Sequence, residues 1–371
     1  MAAIAGAPSH AHTLERTAMS RLPTLATGLT LLTACATQQV SPAPAAPSSA
    51  VAASQGSAVA LAPDDRIRIA EAFRLAAAVG DQIWPAWTSA PFAILLVTPE
   101  REFLIRHPRP TPDFTPIGYD SLLQSEVLVR PRQFPPNLLA TFPAVGGVPT
   151  IVVGKPAATE RKSSTEWVVT LLHEHFHQLQ TSRPGYYARV DSLGLARGDK
   201  TGMWMLNYAF PYDSVRVRSR FAAFTQRLDS ALAASSDDER ATRWTAARRA
   251  RADLHDALTS DDDRYLAFQF WQEGVARYTE LTIARFAAAH YTPSAAFAAL
   301  PDFTPYAMTA ERIEANVREG LRGSSLERGN RVAFYPAGAA YALMLDRVVP
   351  DWRAHYFDRA MSLDALVPSE R

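Results

Sequence analysis

The chain has 371 residues, with 38 Lys and Arg against 37 Asp and Glu, a formal charge of +1, and 47% hydrophobic residues. Near-neutral charge without a long basic stripe excludes nucleic acid as a partner. A single cysteine excludes a disulfide framework, and the apolar content is enough for a large core.

Met19-Ser20-Arg21 opens a short basic stretch, followed by the apolar run from Leu22 to Leu32 and then by Leu32-Thr33-Ala34-Cys35. This resembles a bacterial lipoprotein signal, in which the cysteine becomes the lipidated first residue. The resemblance implies a signal peptide over 1–35, with Met19 a candidate true start and Cys35 the lipidation site. The run is too short to cross a bilayer as a helix, and no other stretch of about 18 apolar residues follows. The expected membrane link is therefore the lipid alone. Ala36 and Thr37 stand where many lipoproteins that stay at the inner membrane carry aspartate. That implies the outer membrane, facing the periplasm. Residues 36–62 are rich in Ala, Pro and Ser without periodicity and read as a tether, which leaves 63–371 as the folded domain.

Asp64 to Trp84 reads as a helix with Ile67, Ala70, Phe73, Ala77 and Ile83 among its apolar positions. Phe92–Val97 and Glu102–Arg106 flank Thr98-Pro99-Glu100-Arg101 and predict a β-hairpin. The segment from His107 to Pro143 is proline-rich and is expected to be irregular. Thr150–Val153, β-branched and bounded by Gly146-Gly147 and Gly154, predicts a strand. After Glu166 the chain reads as helical. Val215 to Leu258 suggests a helical hairpin inserted around 210–260, turning near Ser235–Asp238. The aromatics Tyr186, Tyr187, Trp204 and Tyr208 read as packing of this half. The order predicts an α+β domain: a small mixed or antiparallel N-terminal sheet, then a mainly helical half.

The helical half opens on a chemical signature. Trp167 to Gln180 contains His173-Glu174-His175-Phe176-His177, an H-E-x-x-H on a helix-forming segment with a stripe of Val168, Leu172, Phe176 and Leu179. At about 100° per residue, His173 and His177 lie about 40° apart on one face, one turn from each other, as two imidazole ligands of a tetrahedral zinc must. Glu174, one step around, reaches a metal-bound water as general base. His175 points the opposite way and cannot join. The polar face is expected to look into a cleft or onto solvent.

Downstream stands Trp271-Gln272-Glu273-Gly274-Val275-Ala276-Arg277-Tyr278-Thr279-Glu280. H-E-x-x-H followed by E-G-x-A-x-Y resembles the gluzincin-type zinc metallopeptidases, the thermolysin-like superfamily. The resemblance rests on these two segments and their order. It implies Zn²⁺ held by His173, His177 and Glu273, with Glu174 as base and a peptide or protein substrate in a thermolysin-like cleft. It also implies an edge strand beside the first helix that binds substrate, for which Thr150–Gly154 is the candidate. Many gluzincins carry an acid four positions after the third ligand, where this chain has Arg277. Glu280, on the same face, is the candidate to support a ligand, with Arg277 beside it. Gly274 and Ala276 suggest close approach to the first helix. Gluzincins often stabilise the oxyanion with a later tyrosine or histidine. Tyr335, just before the small-residue helix Pro336-Ala337-Gly338-Ala339-Ala340, is the candidate, with Tyr341 and His355 as rivals. Two other readings stay open: a non-catalytic lipid-anchored binding protein, and a zinc hydrolase of non-peptide amides or esters.

Overall fold

The computed structural model describes residues 59–368 apart from 162 and 324. The expected signal peptide, Cys35 and most of the tether lie outside these residues. Helix α1 (Pro63–Ile83) starts with proline at its first position and Asp64 and Asp65 in its first turn, both favourable at a helix N-terminus. It buries Ile69, Phe73, Val79 and Ile83.

Six strands follow: β1 (Ile94–Val97), β2 (Arg101–Ile105), β3 (Thr115–Asp120), β4 (Ser125–Pro131), β5 (Leu139–Val145) and β6 (Val148–Gly154). They form one sheet in the order β3-β4-β2-β1-β6-β5. Every pairing is antiparallel except β1 with β6. Side chains alternate between two cores, as the period of two demands. Ile94, Leu96, Phe103, Ile105, Ile151 and Val153 join the main core shared with the helices. Leu95, Val97, Leu104, Val145 and Val152 join a smaller core on the opposite face, which Phe114 completes. A strand covered on both faces has no polar side, which is why β1 reads as an unbroken apolar run.

The expectation of an irregular segment from His107 to Pro143 is incorrect: it holds β3, β4 and most of β5. Its prolines sit where a ladder tolerates them. Pro116 is on edge strand β3, Pro131 ends β4, and Pro143 lies in the bulged stretch of edge strand β5. Buried Glu102 fixes the connection after β4. It accepts from Arg130 at 2.7 Å and from the backbone N–H groups of Gln133 and Phe134 at 2.7 and 2.5 Å. The edge-strand expectation is corrected too. Thr150–Gly154 belongs to β6, an interior strand paired on both sides, and the free edge at this end of the sheet is β5.

The helical half begins with α2 (Ser164–Ser182), α3 (Tyr186–Ser192) and α4 (Trp204–Asn207). The expected hairpin follows as α5 (Val215–Leu232) and α6 (Asp237–His255), capped by Ser214 and Ser236. Helix α7 (Ser260–Gln269) runs through a single π turn, Phe270–Gly274, into α8 (Val275–His290). Then come α9 (Ala295–Ala298), α10 (Tyr306–Arg322), α11 (Leu326–Gly329), α12 (Phe334–Val348) and α13 (Trp352–His355). No helix among the described residues is long and apolar enough to cross a membrane.

Helix α2 is docked on the sheet by directed bonds. The Trp167 indole N–H donates to the Gly154 carbonyl at 2.9 Å, and the Gln178 amide donates to Ala93 and Pro149 at 2.9 and 3.0 Å. Its ends follow local rules. Ser163 Oγ accepts the Glu166 N–H at 3.1 Å, and Pro184 forces the preceding residue out of helical geometry.

Candidate metal centre

From Ser164 to Gln180 every residue of α2 except Glu166 is buried. The polar face therefore does not look onto open solvent. It packs against the π turn and against β5. His175 sits on the other side, as the helical angle requires. Its ring stacks on Phe92 at 3.8 Å and its Nδ1–H donates to Gln178 Oε1 at 2.9 Å. Burial pushes this imidazole down to about 4, so it is a neutral core residue.

His173, His177 and Glu273 converge. The two Nε2 atoms are 3.2 Å apart, and Glu273 Oε2 lies 3.8 Å from His173 Nε2 and 3.5 Å from His177 Nε2. Ligands about 2.0–2.1 Å from a tetrahedral zinc stand roughly 3.3–3.4 Å from one another, close to these three edges. Among the described residues this is the one group of three or more His, Cys, Asp and Glu side chains placed to share an ion. The donor set also needs a positive charge. Two buried imidazole lone pairs facing each other beside a carboxylate are unfavourable unless a positive charge lies between them. Burial pushes His177 down, but the Glu273 carboxylate, helped by Glu174, outweighs it and lifts the imidazole to about 9. Burial likewise raises Glu273, and His177 and His173 reverse this and hold its carboxyl well below the ordinary range. The residues fit a divalent cation that prefers nitrogen and oxygen, such as Zn²⁺.

The outward nitrogens are held as well. His177 Nδ1–H donates to Gln180 Oε1 at 2.7 Å, which leaves Nε2 with its lone pair toward the triad. His173 Nδ1 is buried without a hydrogen bond, and Glu280 Oε1 lies 3.7 Å from it. Arg277 pairs with the same Glu280 carboxylate. Glu280 and Arg277 thus stand behind His173 rather than in the triad.

Glu273 owes its position to the π turn. A widened turn leaves backbone carbonyls without their helical partners, and such turns need side chains to satisfy them. Gln180 donates to Gln272 O at 3.2 Å and the Tyr356 hydroxyl donates to Trp271 O at 2.5 Å. Gln180 therefore ties α2 to the turn while it orients His177. Neither Gln180 nor Tyr356 is singled out by the sequence reading, although Gln180 sits three residues after His177, on the same helical face. Gly274 does not serve the approach of α8 to α2. A Cβ there would stand 2.4 Å from Gly338 Cα, so the close partner is α12.

Glu174 Oε2 accepts from the Thr141 hydroxyl at 2.8 Å, and the same oxygen of Thr141 is 3.0 Å from the Glu174 carbonyl. Edge strand β5 thus reaches the carboxylate next to the ligands, through a residue in the segment expected to be irregular. Tyr335 lies in the first turn of α12 rather than before it. Burial and the Glu273 charge push its phenol well above the usual range, and Arg331, which donates to the hydroxyl, opposes them. The rivals are elsewhere: Tyr341 donates to Asp364 at 2.8 Å, and His355 is exposed. The chain matches no protein-family model, no curated protein and no solved structure.

Proposed function

We propose that this protein is a zinc-dependent hydrolase that cleaves peptide bonds, in a thermolysin-like cleft between the sheet and the helical half. The observation that carries the reading is the convergence of His173, His177 and Glu273 at the spacing of a tetrahedral ion, with the Glu174 carboxylate beside them. A His-His-Glu cluster alone specifies a cation and not a reaction. Glu174 supplies the difference, since a purely structural site needs no base next to its ligands.

His173, His177 and Glu273 would hold Zn²⁺, which when bound supplies a Lewis acid that acidifies water and polarises a carbonyl. Glu174 accepts the proton of the attacking water and returns it to the leaving amine, while the Thr141 hydroxyl holds the carboxylate in place. The Tyr335 hydroxyl, kept protonated by burial and anchored by Arg331, donates to the developing oxyanion. Edge strand β5 offers an extended substrate its free backbone groups. Gln180 orients the His177 imidazole, and the Glu280 carboxylate stands behind His173. Cys35 would carry the lipid that fixes the domain to the outer membrane, facing the periplasm, a reading supported by the sequence around it.

Protein purified without chelator should carry about one zinc per chain, lost in His177→Ala. Glu174→Gln should keep the zinc and lose peptide hydrolysis. Folded wild-type protein that takes up no zinc when offered it would overturn the reading.

A further inference from the structure

Beside the triad lies a feature that the reaction above does not use. A cavity of about 200 Å³ opens between the start of α2, α8, α10 and the start of α12. Its walls include Arg161, Glu166, Arg277, Glu280, Asn316 and Tyr335. Two of these also belong to the metal centre. Glu280 stands 3.7 Å from His173 Nδ1, and the Tyr335 hydroxyl lies against Glu273. A chain held at the triad therefore has this recess next to it.

Two arginines and two glutamates line the recess, and one of these four is left without an ion-pair partner. Glu280 is neutralised by Arg277, and Glu166 is paired with Arg312 at 3.2 Å. Arg161 has no carboxylate partner among the described residues, and its Nε is buried without a hydrogen-bond acceptor. Nε itself is out of a ligand's reach, so the contact with a ligand oxygen falls to the terminal nitrogens of this half-buried guanidinium. The group without a partner is a cation, so the recess favours an incoming carboxylate over a lysine or arginine side chain. The volume corresponds to six or seven waters at about 30 Å³ each, room for a short carboxylate with its hydration.

We propose that this cavity is a carboxylate-binding subsite anchored by Arg161. It takes either an Asp or Glu side chain next to the scissile bond or the C-terminal carboxylate of a short peptide. The inference rests on the peptidase reading and names its substrate class. Arg161 recognises the carboxylate through its planar fork of donors, the geometry suited to a two-oxygen acceptor.

The test uses full-length protein and two readouts. In the Glu174→Gln background, fluorescent peptides with Glu or Gln beside the central bond, each with a free or amidated C-terminus, are titrated by anisotropy. Titrations with and without zinc separate the cavity from direct ligation of the metal. One carboxylate should tighten binding at least about tenfold over its amide counterpart, the scale of a charge-assisted hydrogen bond. The preference should vanish in Arg161→Gln and survive in part in Arg161→Lys. Which carboxylate carries the ratio separates the side-chain source from the terminal one. With Glu174 intact, the same ratio should appear in kcat/KM. A ratio near one, or one that persists in Arg161→Gln, overturns the subsite even if peptides are cleaved. An Arg161-dependent ratio in binding, with no hydrolysis by the intact protein, upholds the carboxylate site and overturns the peptidase reading.

Discussion

The contact between Gly274 and Gly338 sets two effects of one substitution against each other. In a helix, Gly→Ala is favourable by about 1 kcal/mol, because alanine loses less backbone entropy. Here the new Cβ of Gly274→Ala would stand 2.4 Å from Gly338 Cα and 2.8 Å from Gly338 C. Carbon atoms pack at about 3.5–4.0 Å, so α12 must retreat by about 1 Å along its contact with the π turn. Both partners are backbone atoms, and no rotamer change relieves the clash. Overpacking of this kind costs about 3 kcal/mol, the upper end of the usual range. The net loss is about 2 kcal/mol, or roughly 4 °C in Tm for a domain of this size. Melts followed by circular dichroism in the presence of chelator keep metal linkage out of the comparison. Zinc affinity, measured separately, should fall as Glu273 moves with the turn. A Tm equal to or above wild type would mean that helix propensity wins and that the two helices are not in backbone contact.

On the proposed reading, zinc would have to displace the proton that Glu273 stabilises on His177. Affinity should therefore rise about tenfold per pH unit toward pH 9, as read by competition with a chelating dye, and a flat profile would remove the proton from the account. Gln180→Ala frees the His177 ring and uncovers the π-turn carbonyls, so zinc affinity should drop about 10- to 100-fold with a lower Tm; unchanged affinity would show that the ring is held by packing. Thr141→Val deprives the Glu174 carboxylate of its donor and should lower kcat about tenfold while zinc content stays at wild type, and equal turnover would sink the positioning role. His175, buried neutral with a value of about 4, binds its extra proton only on unfolding. The sign follows: its contribution is full above the unfolded value of about 6.5 and is lost as pH falls toward 4, by about 2 kcal/mol at pH 5. Denaturant titrations of wild type and His175→Phe should diverge in that way, and parallel curves would contradict it.

What was legible in the chain followed from short-range geometry. The spacing of His173, Glu174 and His177, the opposed direction of His175 and the helical hairpin of α5 and α6 all depend on one period and local caps. β1 and β6 were readable because apolar residues crowd a strand covered on both faces. β3 was not, because it is exposed along almost its whole length and shows no alternation, and the prolines of β3 to β5 masked a ladder that tolerates them at edges and ends. Thr141 was hidden with β5. The π turn has no compositional mark, and it becomes visible only through the side chains that satisfy its carbonyls. The small residues around Gly274 and Gly338 did signal close approach, but sequence does not say which helices meet. α8 does pack on α2, but the glycine contact itself is between the π turn and α12.

The triad draws on two helices that meet only through the fold, and its charge requirement explains how they can meet before a cation arrives. Glu273 is half-buried and ionised, and two imidazoles face it across less than 4 Å. One positive charge is needed among these groups, and a proton on His177 provides it at neutral pH. Binding of Zn²⁺ would then exchange one cation for another without breaking the contacts of Gln180, Tyr356 or the Gly274–Gly338 crossing. None of those contacts includes a metal ligand's donor atom. The site is therefore assembled by the fold around it, in contrast to a small zinc domain whose ligands come together only with the ion. Metal-free protein should keep its native circular dichroism at pH 7, and addition of chelator to the zinc form should lower Tm without unfolding the chain at 25 °C. Collapse of the fold on chelation would mean that the metal, and not the helix contacts, holds α2 against the π turn.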